Sequence, residues 1–166
     1  EEINEQQLSR LKGKTYIFKG AIKGEFGNDY LPTAPELKVK VGAQIMLLNN
    51  DSLGRWVNGS IGKVIDIYKD TLEDENKESY IIAAELSDGS AVEITPHTWE
   101  IFHLYVEGDK LKSQTIGKFT QYPIMLAWAV TIHKSQGKTF DKVIIDIGRG
   151  AFAHRSEERR VGKECR

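Results

Sequence analysis

The sequence predicts an α/β fold that carries a smaller all-β unit, and three observations point there. Val143-Ile144-Ile145-Asp146-Ile147 is a β-branched run of the kind found in strands buried on both faces. Ile124 to Ile132 is apolar almost all round, apart from Thr131, and reads as a second buried segment. Between Gly59 and Thr120, short apolar–polar alternations separated by turn residues read as β throughout. The chain has 166 residues, enough mass for a real core. A hydrophobic content of 40% with charges of both signs describes a soluble globular protein. No apolar run is long enough to span a bilayer, and no signal peptide is visible.

In chain order, Glu1 to Leu11 places Ile3, Gln7, Leu8 and Leu11 near one helical face, so a helix is expected there. The chain opens without a methionine and reads as a piece of a longer one. Tyr16 to Leu37, with Gly20, Gly24, Gly27-Asn28-Asp29 and Pro32 to Pro35, has the turn chemistry of an exposed connection. Ala43 to Leu48 is a short apolar run between Gly42 and Asn49, expected as a buried strand. In the all-β stretch, Ile61, Ile65 and Ile67 are expected on one face. Asp70 to Ser79 reads as a solvated acidic loop. Tyr80, Ile82, Ala84 and Leu86 alternate with their neighbours, and Ser87-Asp88-Gly89-Ser90 supplies a hairpin turn before Val92 and Ile94. Trp99, Phe102, Leu104 and Val106 offer further strand, with a turn at Gly108-Asp109. Together they suggest a small barrel of the Src-homology type. The apolar run from Ile124 is expected as a helix, since Pro123 suits a first turn and Gly137 an end. Length and flanks decide this, because periodicity does not separate helix from strand in a fully apolar run.

The last twelve residues, Arg155 to Arg166, have no apolar face and match a translation of a common sequencing-adapter read at every position. They are expected to be non-biological and are set aside. They hold five of the 23 basic and three of the 24 acidic residues, leaving 18 against 21 and a net of −3. They also hold the sole cysteine, Cys165, so the remaining chain has no disulfide and no cysteine-ligated metal. His97 and His103 have no partners at metal-ligand spacing, and no metal site is expected. Gly13-Lys14-Thr15 and Gly137-Lys138-Thr139 end like phosphate loops, but Leu8 and Ile132 stand where the first glycine must be. The sequence has no Walker A motif.

The densest chemistry is the polar cluster His133-Lys134-Ser135-Gln136-Gly137-Lys138-Thr139, set between two buried segments, where α/β proteins place ligand chemistry. The stretch AWAVTIHKSQGKTFDKVIIDIGRG resembles the fifth conserved motif, and the following strand, of superfamily 1 DNA helicases of the RecD-like and PIF-type branch. There T-[hydrophobic]-HK-[small]-QG is diagnostic, and Thr131, His133, Lys134, Ser135, Gln136 and Gly137 fill each position. The upstream piece LKVKVGAQIMLLNNDSLGRWVNGSIGKV resembles the same family, through Val41-Gly42-Ala43-Gln44 and Asn58-Gly59-Ser60-Ile61-Gly62.

The resemblance implies a partial RecA-like domain of the P-loop NTPase type with an inserted Src-homology-like barrel. Residues 1–54 would begin the second motor domain, 55–120 form the barrel, and 121–154 complete it. It implies an ATP-dependent helicase that couples hydrolysis to movement along single-stranded DNA and to duplex unwinding. Thr131 and His133 would lie on the DNA backbone with Lys134 and Ser135 in support, while Gln136 and Gly137 face the nucleotide cleft. On a helix, Thr131 and Ser135 would share a face at i, i+4 and offer two hydroxyls to one backbone. Trp56, beside Arg55, could stack on a base or pack in the core. ATP and Mg²⁺ would be held mainly by a first RecA-like domain, outside this chain. Implied partners are single-stranded DNA, duplex junctions, and repair or recombination proteins, with no membrane and an intracellular, cytoplasmic setting (nucleoid-associated in a bacterium). The family continues with a Tyr-Val-Ala-Leu-Ser-Arg motif whose arginine stabilises transferring phosphoryl charge. Here Phe152-Ala153-His154 runs into the adapter-like tail, so no catalytic residue is expected in this chain.

Two other classes compete with this reading. A non-enzymatic nucleic-acid-binding barrel would show a basic groove with interleaved aromatics, and the net of −3 opposes it. A nucleotide-binding domain of an unrelated ATPase is opposed by the missing Walker A. The expectation for the chain alone is no ATP turnover above background, with or without single-stranded DNA, measured by phosphate release against a mock preparation. Robust turnover that follows the chain through purification would refute the helicase reading.

Overall fold

The computed structural model describes residues 2–26, 31–70, 79–108, 110–132, 134–136 and 143–146. His133, Gly137, Ile147, the acidic residues 71–78 and the tail with Cys165 lie outside them. The chain divides into two compact units, 1–136 and 137–166.

Among the described residues of the first unit, helix α1 (Glu2–Arg10) is followed by ten strands: β1 (Tyr16–Lys19), β2 (Ala21–Gly24), β3 (Glu36–Val39), β4 (Gln44–Leu47), β5 (Ile61–Lys69), β6 (Tyr80–Leu86), β7 (Ala91–Ile94), β8 (His97–Glu107), β9 (Lys110–Gln121) and β10 (Ile124–Leu126). They form a five-stranded sheet ordered β10-β4-β5-β6-β7, a three-stranded sheet β2-β9-β8 and a pair β1-β3. All the pairings are antiparallel. The core is built on β4, whose Ile45, Met46 and Leu47 are all sealed from solvent. Around Ile45 and Leu47 pack Val64 and Ile67 of β5, Ile82 and Ala84 of β6, Ile94 of β7, and Leu8 of α1.

Helix α1 carries Glu2 and Glu5 in its first turn and Arg10 in its last, each matched to the helix dipole. The face it buries differs from the expected one. Asn4 and Leu8 turn inward, while Ile3 stays 52% exposed. Two helical steps back from Leu11 along the inner stripe lead through Leu8 to Asn4, and the polar residue wins the buried place because it finds partners there.

Tyr16 to Leu37 is not the exposed connection that its glycines suggested. It contains β1 and β2 and the start of β3, with Phe18 opposite Leu37 and Tyr16 opposite Val39. The Tyr16 and Phe18 rings pack on Tyr80, and Phe18 meets Tyr122 at 4.5 Å between centroids. Gly20 and Gly24 serve close approach, not looseness. Gly24 has φ +70°, and a Cβ on it would sit 2.2 Å from the Ile116 carbonyl oxygen.

The all-β reading of the middle stretch holds, with strands β5 to β9 distributed over two sheets. One detail changes. Ile65 is 45% exposed, because the β5–β6 register shifts between Val64 and Asp66 and moves the buried set to Val64 and Ile67. A bulge inserts one residue and reverses the alternation beyond it. The hairpin turn forms as expected: Gly89 has φ +84°, and the Asp88 carboxylate accepts from the Ser90 amide at 2.9 Å.

Two expectations near the C-terminal end do not hold. Ile124–Leu126 is a strand, not the start of a helix, and it pairs Met125 with Met46 on the open edge of β4. An unpaired edge beside a sealed apolar strand is a stronger demand than the helix suitability of Pro123. Residues 143–146, in the second unit, carry no strand, and Ile144 is 96% exposed. A β-branched run becomes a strand only when a neighbouring strand takes its backbone hydrogen bonds, and its composition alone does not supply one.

Backbone strain alone and strain plus collision are separable here. Gly89→Ala, with nothing within 4 Å of the added carbon, should cost about 1–2 kcal/mol. Gly24→Ala meets a carbonyl as well and should cost clearly more, at least about 3 kcal/mol in urea melts. Equal costs would show that the β2–β9 contact yields freely.

Candidate nucleic-acid interface

Strand β10 sets up the polar cluster by delivering the chain from the sheet edge to the surface. Its ladder with β4 is extended one step by a side chain. The Ala127 amide donates to the Gln44 carbonyl at 2.9 Å, and Gln44 Nε2 donates to the Ala127 carbonyl at 3.0 Å. Thr33 Oγ1, itself buried, donates to the Ile124 carbonyl at 2.6 Å. The Leu48 amide donates to the Pro123 carbonyl at 2.8 Å.

Helix α1 closes the other side. Asn4 Nδ2 donates to the carbonyls of Leu126 (3.2 Å) and Ala129 (2.8 Å), and Asn4 Oδ1 accepts from the Ala129 amide at 2.9 Å. Trp128, half-buried, packs against the core between these contacts. Sequence reasoning missed Asn4, because a polar residue in a helical pattern reads as solvated. Its i, i+4 spacing to Leu8 was the available signal.

Beyond Ala129 the root is anchored and the tip is open. Thr131, Lys134 and Gln136 are exposed, and Ser135 is half-buried. The expected helix through Thr131 and Ser135 is reduced to one turn. The Ser135 amide is shared between the carbonyls of Thr131 (3.1 Å) and Ile132 (3.2 Å). Ser135 Oγ donates back to the Ile132 carbonyl at 2.8 Å, so its proton is spent on the turn. Thr131 and Lys134 are left as the outward donors among the described members of the cluster, with the Gln136 carboxamide beyond. His133 and Gly137 fall outside the described residues.

Trp56 packs in the core. The residue is 6% exposed, its Nε1 donates to Asn49 Oδ1 at 3.1 Å, and the Arg55 guanidinium lies 4.7 Å over its ring. Arg55 is in turn held by two 2.8 Å bonds to Asp51. Those bonds, with the amides of Arg55 and Leu53, hold the Asp51 carboxyl far below the usual carboxylate range. Acid would release this clasp only as the pH fell through that lowered value.

The cluster supplies hydroxyl, ammonium and carboxamide groups, which suit phosphate oxygens. It holds no carboxylate, so it does not fit Mg²⁺ as a ligand set. Among the described residues no group of three His, Cys, Asp or Glu side chains could hold a metal ion, and no helix is long and apolar enough to cross a membrane.

No protein-family model matches the chain. Individual proteins do. The ATP-dependent DNA helicase Pif1 of Bdellovibrio bacteriovorus is 30% identical over 152 residues, covering 89% of this chain and 31% of that protein. The crystal structure of Bacteroides sp. Pif1 in complex with ADP-AlF4 superposes with a TM-score of 0.75 at 34% identity, covering 89% of this chain and 32% of that one. Bacteroides Pif1 bound to single-stranded DNA gives a TM-score of 0.70 at 34% identity, covering 90% and 32%. The chain thus spans about a third of the length of these relatives. The fold is similar to part of these Pif1 structures, whose motor domains are RecA-like, and is mixed α/β and rich in strands. Over about 88% of its length this chain is homologous to the Pif1-type superfamily 1 DNA helicases.

Proposed function

We propose that the chain is part of an ATP-dependent DNA helicase that couples ATP hydrolysis to movement along single-stranded DNA and to duplex unwinding. In this reading residues 1–54 and 121–154 belong to the second RecA-like motor domain, and 55–120 are its inserted barrel. Residues 155–166 are excluded from the biological chain. One observation carries the site: the polar turn after β10 has a buried, bonded root and an exposed, donor-rich tip. A helicase needs that combination, since force must pass from the sheet to the DNA without the contact loop giving way.

Thr131 and Lys134 donate to backbone phosphates, and His133 joins them as a neutral donor or a cation. Ser135 supports them by closing the turn. Gln136 and Gly137 continue towards the nucleotide. ATP and Mg²⁺ bind mainly on a first RecA-like domain, since this chain has neither a phosphate loop nor a carboxylate in the cluster. Duplex junctions, repair or recombination proteins and an intracellular setting follow from the same reading. Two structures of Bacteroides Pif1 support it by their ligands, single-stranded DNA in one and ADP-AlF4 in the other.

In the intact protein that carries this chain, Thr131→Ala, His133→Ala and Lys134→Ala should each weaken single-strand affinity several-fold. Each lost phosphate contact is worth about 0.5–3 kcal/mol. DNA-stimulated ATPase should fall with it, while the thermal midpoint stays within a few degrees. Ile82→Ala is the control for folding, because truncating a sealed core residue costs about 2–5 kcal/mol. Should the three variants melt like Ile82→Ala yet respond fully to DNA, the cluster is structural and the proposal fails.

A further inference from the structure

Asn4 is the one buried side chain of α1 that makes no use of the apolar core around it. Its amide and its carbonyl oxygen are both spent on backbone atoms of residues 126 to 129, more than 120 positions away. The two bonds to Ala129 form the cyclic pattern of a strand neighbour, offered by a side chain. The bond to Leu126 reaches back to the last residue of β10. On the opposite side Gln44 does the same at Ala127. The chain is therefore gripped on two sides just before it enters the turn with Thr131 and Lys134. Past Ala129, the described bonds of residues 130–136 are local to the turn itself.

We propose that Asn4 is a positioning residue for the nucleic-acid contact. It fixes where the Thr131–Gln136 turn leaves the sheet, and through that it sets the aim of Thr131 and Lys134. The inference rests on the DNA reading of that turn. It adds that helix α1, remote in sequence, is part of the DNA-binding apparatus.

The test uses a substitution that keeps shape and changes only hydrogen-bond chemistry. Asn4→Asp preserves volume but replaces the amide donor with an oxygen facing two carbonyl oxygens. A residue that merely fills space would tolerate that change, whereas a clamp would fail as badly as in Asn4→Ala. Ile94→Ala is the control: it opens a cavity on β7, at the far edge of the sheet from β10. In the intact protein that carries this chain, hydrogen exchange is read on peptides covering 126–136, and affinity is read with a labelled oligothymidine strand. Asn4→Asp and Asn4→Ala should each speed exchange in 126–136 by at least about tenfold. They should weaken oligothymidine binding about fivefold or more, comparably to Lys134→Ala. Ile94→Ala should lower the melting temperature without either selective effect. Unchanged exchange in Asn4→Asp overturns the clamp. Faster exchange with wild-type affinity, while Lys134→Ala still weakens binding, overturns the positioning role and leaves the DNA reading standing. If Lys134→Ala and Thr131→Ala also bind like wild type, the DNA reading itself falls, and the positioning role with it.

Discussion

The pairing of β4 on both of its edges is the constraint from which the rest of the structure follows. Gln44, Ile45 and Met46 pair with Lys63, Gly62 and Ile61 of β5 on one side. On the other, Ile45 to Leu47 pair with Leu126 to Ile124 of β10. With three consecutive residues sealed on both faces, this strand has no register to slip into. Gly62 permits the tight β5–β6 approach, since a Cβ there would lie 2.9 Å from the Glu85 carbonyl oxygen. The polar turn at Thr131 to Gln136 inherits its position from this arrangement, being the continuation of the strand that caps the β4 edge.

Much of that arrangement was legible in the sequence. Ala43 to Leu48 could hardly be anything but a buried strand, and the even-numbered alternation from Tyr80 to Leu86 fell on the buried face as read. The cluster from Thr131 to Gly137 announced itself by composition, and its relation to a helicase motif agrees with the homology. The misreadings have physical causes. Ile124 to Ile132 has no periodicity to reveal its state, and the missing edge of β4 decided it from across the chain. Ile65 was misplaced because a bulge is a local event that alternation does not encode. The strands at Tyr16 to Gly24 were hidden by glycines that serve close packing.

The side chains that sequence reading missed entirely share a chemistry. Asn4, Thr33 and Gln121 are the buried polar residues of the described chain, and each bonds backbone atoms far away in sequence. Gln121 Nε2 donates to the Phe18 carbonyl at 3.0 Å and reaches those of Ala34 and Pro35 at 3.3 Å. Its Oε1 accepts from the Tyr122 amide at 3.0 Å. Such residues join pieces that no ladder connects. A buried amide with its partners in place specifies a geometry that apolar contact leaves loose. A one-dimensional pattern has no means of showing them, since their partners carry no side-chain signature.

The reach of these bonds bears on how the protein comes to be folded. The bonds from Asn4 to Leu126 and Ala129 close loops of more than 120 residues, and Thr33 to Ile124 closes one of 91. Closing a long loop costs chain entropy before any contact repays it, and non-local topologies fold slowly for that reason. During synthesis α1 leaves the ribosome more than 100 residues ahead of β10, so Asn4 has neither Leu126 nor Ala129 to bond until that strand has followed. Leu8 has its core neighbours earlier, so the Asn4 clamp is among the last contacts of α1 to close.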